Sequence, residues 1–373
     1  MLSHSLVGIS MKAIVLAGGF ATRLRPISYV IPKLLFPVAG KPMIYWTLDL
    51  LKRFQVDEVI LGVNYLADDL KRSVGDNYRG MRIMYSLEKS PLGTAGPIKL
   101  ASRITQLTKT FITMNGDIIT NIDLNEMLQR HQFSKALITD ALREVQDPSR
   151  FGVVEIDTKG RIARFVEKPN RNEAPSRLVN AGIYLIEPSV IKQIASGRKV
   201  SLEREIFPAL AQRGRLGGFV ISDYWFDIGN ISDYKEANFA LTEKIAGRSV
   251  RQPNCVARNS KLVPPILIGR HTNVGRDTRL GPNAIIGNNV VVDKRVRISN
   301  SIIFDGVKIG EQSSVTGAIV ASNSIIGRGV RVERGAIISP KVSISDGVRV
   351  GKGVIIHPYR EITEHISAWT NVM

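Results

Sequence analysis

Every sixth residue over the last third of the chain is apolar, and that period leaves few folds open. Ile268, Val274, Leu280, Ile286, Val292 and Ile298 stand six apart, and Ile326, Val332, Ile338, Ile344, Val350 and Ile356 repeat the spacing. Ile309 and Val315 keep the period between the two runs but are offset from both, so the steps from Ile298 to Ile309 and from Val315 to Ile326 each fall one residue short of two hexads. Each apolar residue is usually followed by Gly, Ser, Asp or Glu. The position four further on is mostly small or Val, as at Thr272, Thr278, Ala284, Val330, Ala336 and Val342. A period of six matches neither the turn of an α-helix nor the alternation of a strand pair. It suits a coil with short flat sides, in which every sixth side chain joins an interior column and each coil covers the last. That is a parallel β-helix, and the two short steps read as altered corners.

The grammar upstream is different. From Lys12 to about Ala240, strand-length apolar runs ("AIVLAG", "EVILGV", "TFITMNGD", "NAGIYLI") alternate with amphipathic stretches such as "MIYWTLDLLKRF" and "GPIKLASRI". Such alternation predicts an open α/β sheet, mostly parallel, with helices on both faces and ligands beyond the C-terminal ends of the strands. Two domains follow, over 11–250 and 251–373. The chain of 373 residues has material for both.

Composition narrows the classes of partner. No apolar run approaches the ~18 residues of a membrane span. The opening "MLSHSLVGIS" lacks the basic start and long apolar core of a secretory signal, and Met11 opens the first strand. The lone Cys255 cannot form an internal disulfide and fits no metal-ligand spacing, which agrees with a structural thiol in a reducing cytoplasm. The net charge of +18 raises the question of nucleic acid, but the excess is nine in residues 1–250 and nine in 251–373, with no block of five like charges. No nucleic-acid-binding motif accompanies it, and small anionic substrates are the better partner.

An anion site is written after the first strand. "LAGGFATRLRPISYVIPKLL" places Leu16, Ala17, Gly18 and Gly19 ahead of Arg23, Arg25 and Lys33. Backbone N–H groups between a strand and a helix can cradle phosphate oxygens, and glycine lets them approach without a Cβ. Arg23 offers a planar fork and Lys33 a compact charge. The stretch is neither a Walker A sequence nor G-x-G-x-x-G, and a turn with solvated bases is the other reading of this spacing.

"LAGGFATRLRP" followed by "PK" at Pro32–Lys33 resembles the signature of the sugar-1-phosphate nucleotidylyltransferases. Further motifs follow in that family's order: "PLGTAGP" at 91–97, "NGD" at 115–117, "FGVVE" at 151–155, "FVEKP" at 165–169, "NAGIY" at 180–184, "SLEREIFP" at 201–208 and "WFDIG" at 225–229. "PLGTAGP", "EREIFP" and the hexad tail look most like the mannose-1-phosphate guanylyltransferase branch. Two positions depart from the pattern: Ala21 stands where the family has glycine, and Leu34 where it has proline. Alanine at a position requiring positive φ costs about 1 kcal/mol.

The resemblance implies a Rossmann-like sheet followed by a left-handed parallel β-helix. It implies attack by a sugar-1-phosphate oxygen on the α-phosphorus of a nucleoside triphosphate, with Mg²⁺ held by Asp117 and Asp227. By the same matching, Arg23 stabilises the departing pyrophosphate and Lys33 bridges phosphate oxygens. Lys168 holds the sugar phosphate, Glu167 and Asn180 bond sugar hydroxyls, and Gly152 lines the same subsite. Leu16, Ala17, Gly18, Gly19, Gly93 and Thr94 belong to the nucleotide subsite. Glu88 occupies the position that reads the base in related thymidylyltransferases. A carboxylate only accepts hydrogen bonds and guanine offers two adjacent donors, so GTP is the expected nucleotide, unless Glu88 is simply an exposed acid at a strand end. Mannose rests on the resemblance alone. Glucose-1-phosphate with UTP or dTTP is the alternative substrate pair, and a non-catalytic regulatory subunit the alternative class.

The hexad domain of such proteins serves either acyl transfer or assembly. His271, His357 and His365 are its candidate bases, none within a recognisable motif, and the chain runs only a short way past the last coil. A structural role in a homo-oligomer is expected.

Overall fold

The computed structural model describes residues 11–64, 66–246, 256–257 and 259–373. Cys255, the boundary expected at 250/251 and the opening ten residues lie outside them. The chain forms two compact units, one from the segment ending at Phe20 with Met43–Asp227, the other from Ala21–Pro42 with Ile228–Met373. The division falls inside the signature stretch: its glycines close a strand of the first unit, while Arg23, Arg25 and Lys33 belong to the second.

In the first unit, strand Met11–Leu16 lies parallel between Val56–Val63 and Phe111–Asn115, with Met81–Leu87 parallel beyond Val56–Val63. Ala13, Ile14 and Val15 are all fully buried. Successive strand side chains face opposite ways, so both faces of the sheet are covered. Helices α1 (Met43–Arg53), α2 (Ala67–Val74), α3 (Gly96–Ala101) and α4 (Leu124–Ser134) alternate with these strands. The arrangement is the mostly parallel, Rossmann-like layer that the alternation predicts. Antiparallel pairing enters through Leu178–Ile186, which joins Phe111–Asn115 to Ile138–Glu144. Its register against Ile138–Glu144 breaks between Asn180 and Tyr184. Gly152–Ile156 and Ile162–Glu167 form a hairpin beside it. Phe207, which opens helix α5 (Phe207–Gln212), packs on Phe165 and Tyr184 at ring distances of 5.2 and 5.4 Å.

The second unit contains helix α6 (Ile231–Ala246) and a left-handed parallel β-helix whose three sheets have six, seven and six strands. Every residue of the two hexad runs from Val274 onward is buried, and Ile268 is packed against that column. Each fully buried aliphatic side chain contributes roughly 2 kcal/mol. The small or Val positions four further on, from Thr272 to Val342, are buried too, as a second interior column. Asn283, Asn289, Arg295, Gln312 and Asn323 turn corners at φ of 54–62°. Only left-handed backbone bends the chain this sharply without disturbing the flat sides, and Asn tolerates it best after glycine.

The short steps are coils of seventeen residues among coils of eighteen. Ile266 pairs with Ala284, but Ala284 pairs with Ser301 and Ile302 with Ile319, before Ile319 pairs with Ile337. The altered corners fall at Asn300 (φ 49°) and Gly317 (φ 64°).

Candidate active site

The residues expected to bind nucleotide stand at the C-terminal ends of the parallel strands of the first unit. Ala17 donates to the Gly62 carbonyl at 2.8 Å and Gly116 to the Leu16 carbonyl at 2.9 Å, so Leu16 and Ala17 stay in register beyond the strand. The Asn64 amide donates to the Gly18 carbonyl. A Cβ on Gly18 would stand 2.5 Å from Glu88 Oε1, whereas one on Gly19 would meet nothing within 4 Å. Gly18 is therefore bare because the Glu88 carboxylate lies against it, and Gly19 leaves open backbone.

Glu88 is only 8% exposed, which overturns its reading as an exposed strand-end acid. Its backbone N–H donates to Val63 at 2.8 Å, and Oε2 accepts from the Leu92 N–H at 3.4 Å. Burial raises its pKa, partly opposed by that N–H.

Gly93 and Thr94 support the segment after Val200. A Cβ on Gly93, at φ 80°, would run into the Val200 carbonyl. Thr94 Oγ1 donates to Glu203 Oε2 at 2.6 Å and accepts from the Leu202 N–H at 2.8 Å. Ser201 adds a second donor to the same Glu203 oxygen at 2.7 Å. Both residues brace one wall, and the Thr94 hydroxyl is committed within it.

The residues expected to bind the sugar phosphate gather around the hairpin and the broken register. Gly152 pairs with Glu167 across the hairpin, where any side chain would overlap Phe165. Lys168 turns out of the strand at φ 48°, its N–H donating to the Phe151 carbonyl at 3.0 Å. Its ammonium lies 3.4 Å from Glu167 Oε1 and is well exposed, with 61% of the side chain accessible. Asn180 Oδ1 accepts from the Gly182 N–H at 2.7 Å, and its amide meets the Tyr184 hydroxyl at 2.9 Å. A Cβ on Gly182 would stand 2.6 Å from Asn115 Nδ2, so "NGD" and "NAGIY" are in contact. Asp117 immediately precedes strand Ile118–Thr120, whose ribbon partner Trp225–Asp227 sets Asp227 opposite Ile118. The two predicted metal carboxylates thus stand at adjacent register positions. Trp225 anchors the ribbon by donating to the Ala181 carbonyl at 2.9 Å.

Sequence reasoning missed Asp140. It is fully buried, with no hydrogen-bond partner for either carboxylate oxygen. It shares a cross-strand row with Tyr184 and Thr113. Burial first, and then the Glu203 charge, push its pKa well above the ordinary carboxylate range. The signal was present: a strand reading of "ALITDALREV" puts Asp140 on the same face as Ile138 and Leu142.

The cationic part of the signature is in the second unit. Ala21 takes φ 49° and ψ 37°, the left-handed conformation in which glycine would be unstrained. Lys33–Leu35 forms one 3₁₀ turn, and Leu34, in place of the family's proline, is buried. A Cβ on Gly229 would lie 3.3 Å from both Arg23 Nη2 and Asp233 Oδ2, so the glycine of "WFDIG" leaves room for the Arg23 guanidinium. The β-helix histidines are scattered: His271 occupies a corner at φ 56°, His365 Nδ1 accepts from the Arg349 N–H, and His357 lies 5.8 Å from the Tyr29 ring.

Strand-end glycines with a buried carboxylate beside them, and an exposed lysine beside Glu167 on a hairpin, occur here in a chain of the nucleotidyltransferase class. The nucleotidyl transferase family matches residues 12–244 and the GMPPB C-terminal domain matches 262–372. The chain is 36% identical over 329 residues to the mannose-1-phosphate guanylyltransferase catalytic subunit beta of Xenopus tropicalis, and 33% over 328 to mannose-1-phosphate guanylyltransferase 1 of Arabidopsis thaliana. Each alignment covers 87% of this chain and 89% of the relative. Among solved structures, a putative glucose-1-phosphate thymidylyltransferase from Bacillus anthracis in complex with a sucrose matches with a TM-score of 0.56 and 28% identity, over 65% of this chain and 98% of that one. HddC from Yersinia pseudotuberculosis complexed with GMP-PN matches with a TM-score of 0.53 and 30% identity, over 62% of this chain and 99% of that one. The chain belongs to the mannose-1-phosphate guanylyltransferase family of nucleotidyl transferases.

Proposed function

We propose that the chain condenses GTP with mannose-1-phosphate to GDP-mannose and pyrophosphate. A phosphate oxygen of the sugar-1-phosphate attacks the α-phosphorus; the new P–O bond forms as the bond to the bridging oxygen of the β-phosphate breaks, and pyrophosphate leaves with that electron pair. The nucleophile is already ionised at neutral pH, so no general base is needed. Catalysis is then positioning and charge neutralisation.

Arg23 stabilises charge building on pyrophosphate, and Lys33 neutralises phosphate oxygens. Lys168, exposed at the end of its hairpin, orients the sugar phosphate, while Glu167 and Asn180 take sugar hydroxyls. Leu16, Ala17 and Gly18 hold the strand end in place, and Gly19 presents open backbone to the nucleotide. Asp117 and Asp227, at adjacent register positions, would hold Mg²⁺, which takes one or two carboxylates with phosphate oxygens and water completing its shell. When bound, it supplies positive charge to the phosphates.

The observation that carries the choice of GTP is the Glu88 carboxylate, buried against Gly18 at the nucleotide end of the sheet. An ionised carboxylate there accepts from guanine N1–H and N2–H₂ together. Uracil and thymine offer a single donor flanked by acceptors. The polar partners are small anions, not nucleic acid, and no described helix is long and apolar enough to cross a membrane. We place the activity in the cytoplasm, in a homo-oligomer assembled through the β-helix. Sedimentation of the intact chain at assay concentration checks the assembly, and a monomer would refute it.

Pyrophosphate release from GTP, UTP, dTTP, ATP and CTP, crossed with mannose-, glucose- and N-acetylglucosamine-1-phosphate with and without Mg²⁺, tests the reading. Preference for GTP with mannose-1-phosphate, dependent on Mg²⁺, is expected. Preference for UTP or dTTP keeps the reaction and removes the argument from Glu88, and no turnover with any pair makes the chain a regulatory subunit.

A further inference from the structure

The two seventeen-residue coils interrupt an otherwise regular repeat, and the function proposed above leaves them unexplained. Phe304 follows the last strand residue of the first short step, and Gly317 is the corner of the second. Both meet the segment Ala21–Pro42 or the helix that carries it. Phe36 is fully buried, with its ring 5.7 Å from Tyr234 and 6.1 Å from Phe304; Tyr234 and Phe304 close the triangle at 6.3 Å. All three pairs are edge to face, the arrangement aromatic rings favour. Lys235, next to Tyr234 on α6, reaches the Gly317 carbonyl with its ammonium at 3.0 Å, and burial lowers its pKa.

The helix passes this support directly to the signature. The Tyr234 hydroxyl donates to the Pro37 carbonyl at 2.5 Å, and Asn238 Oδ1 accepts from the Ala39 N–H at 2.9 Å. The Phe36 N–H donates to the Lys33 carbonyl at 3.0 Å, closing the turn on which Lys33 stands. At the other side of the segment, Arg25 lies 4.9 Å over the Tyr29 ring, and Tyr29 meets His357 of the last coils.

We infer that the short coils exist to hold this cationic segment, and that Phe304 and Lys235 are positioning residues that set Lys33 and Arg23 for pyrophosphate. The inference rests on the reading that those two cations handle pyrophosphate. The ring at the end of one shortened step and the corner carbonyl of the other, which accepts from Lys235 in addition to the Gly335 N–H at 3.0 Å, are the points at which Phe36 and α6 dock.

Reverse-direction kinetics test it, with the nucleotide sugar the chain turns over best and varied pyrophosphate. Phe304→Ala and Lys235→Met should raise KM for pyrophosphate about tenfold, since small misplacements of a positioning group cost this much or more. KM for the sugar-1-phosphate in the forward direction should stay within about twofold, because Glu167, Lys168 and Asn180 belong to the first unit. Phe304→Tyr, which keeps the ring, should restore the pyrophosphate KM. A purely structural role lowers the active fraction and leaves both KM values unchanged, and that result overturns the proposal. Lys235→Met keeps the test alive if Phe304→Ala does not fold. Lys33→Ala run alongside separates the two layers: if it leaves KM for pyrophosphate unchanged, the role given to Lys33 falls and this inference with it. If it raises KM while both distant variants do not, only the inference falls.

Discussion

In the β-helix, Thr272, Thr278, Ser313 and Ser324 are buried, and each donates its hydroxyl to a backbone carbonyl of the following coil at 2.7–3.0 Å. In the sheet unit, Thr47, Ser86, Thr113 and Asp140 are buried as deeply, and their side-chain oxygens have no hydrogen-bond partner. Ser339 is the exception among the described coil residues. The four hydroxyls use the same bond because successive coils stack in register and bring a carbonyl of the next coil to each of them. The sheet unit has no such template. Its orphaned Thr113 and Asp140 lie in one row with Tyr184, whose hydroxyl holds Asn180, so burial costs are left standing beside the residues assigned to chemistry.

If the residues assigned to the substrates serve chemistry and the coil column serves packing, substitutions should separate activity from stability. The largest separation should come from Arg23→Ala, which should lower kcat about 10²–10³-fold, the usual loss for one group facing developing charge. Its thermal midpoint should match the parent. Ile338→Ala in the coil column should do the reverse, costing about 3 kcal/mol in urea unfolding while kcat per folded molecule is unchanged.

Asp140→Val should stabilise. Its folded pKa is raised, so what it contributes to stability is whole below the unfolded value and lost as pH rises through the folded one. The valine variant should gain about 2 kcal/mol at pH 8 and much less near pH 4, because only the higher pH forces a charge, or a proton bound at a cost, into the core. Equal gains at both pH values would show that Asp140 is not a titrating burden.

The smallest effect concerns Glu88. Its pKa is raised by burial, so acidification should protonate it sooner than an exposed glutamate, and the GTP over UTP preference should decline as pH falls. Glu88→Gln should start about tenfold less selective and show no such decline. Nucleotide ratios measured across pH in both proteins check this.

Period and motif made much of this legible. The hexad column predicted the coil and its interior residues one by one, since a six-residue repeat specifies side-chain direction as well as fold. The short steps were visible as offsets of Ile309 and Val315, yet nothing in the string said that Phe304 and Gly317 there would carry α6. The strained Ala21 could be anticipated from the glycine it replaces. The roles of Gly18 and Gly93 could not, because the atoms that forbid their side chains, Glu88 Oε1 and the Val200 carbonyl, come from distant sequence. The same holds for the division of the signature at Phe20, which depends on packing across more than two hundred residues.

Coil-to-coil register also bears on how each unit is assembled. Within the regular coils a strand finds its partner one turn later, as Val274 finds Val292 and Ile326 finds Ile344. Each pairing closes a loop of nearly constant, short length, so the entropy lost at every step is modest and repeated. Strand Met11–Leu16 must wait for Phe111–Asn115, with Ala13 against Ile112. The β-helix is in this sense a chain of local decisions, and the sheet a single global one, so the region with the more elaborate repeat has the lower contact order.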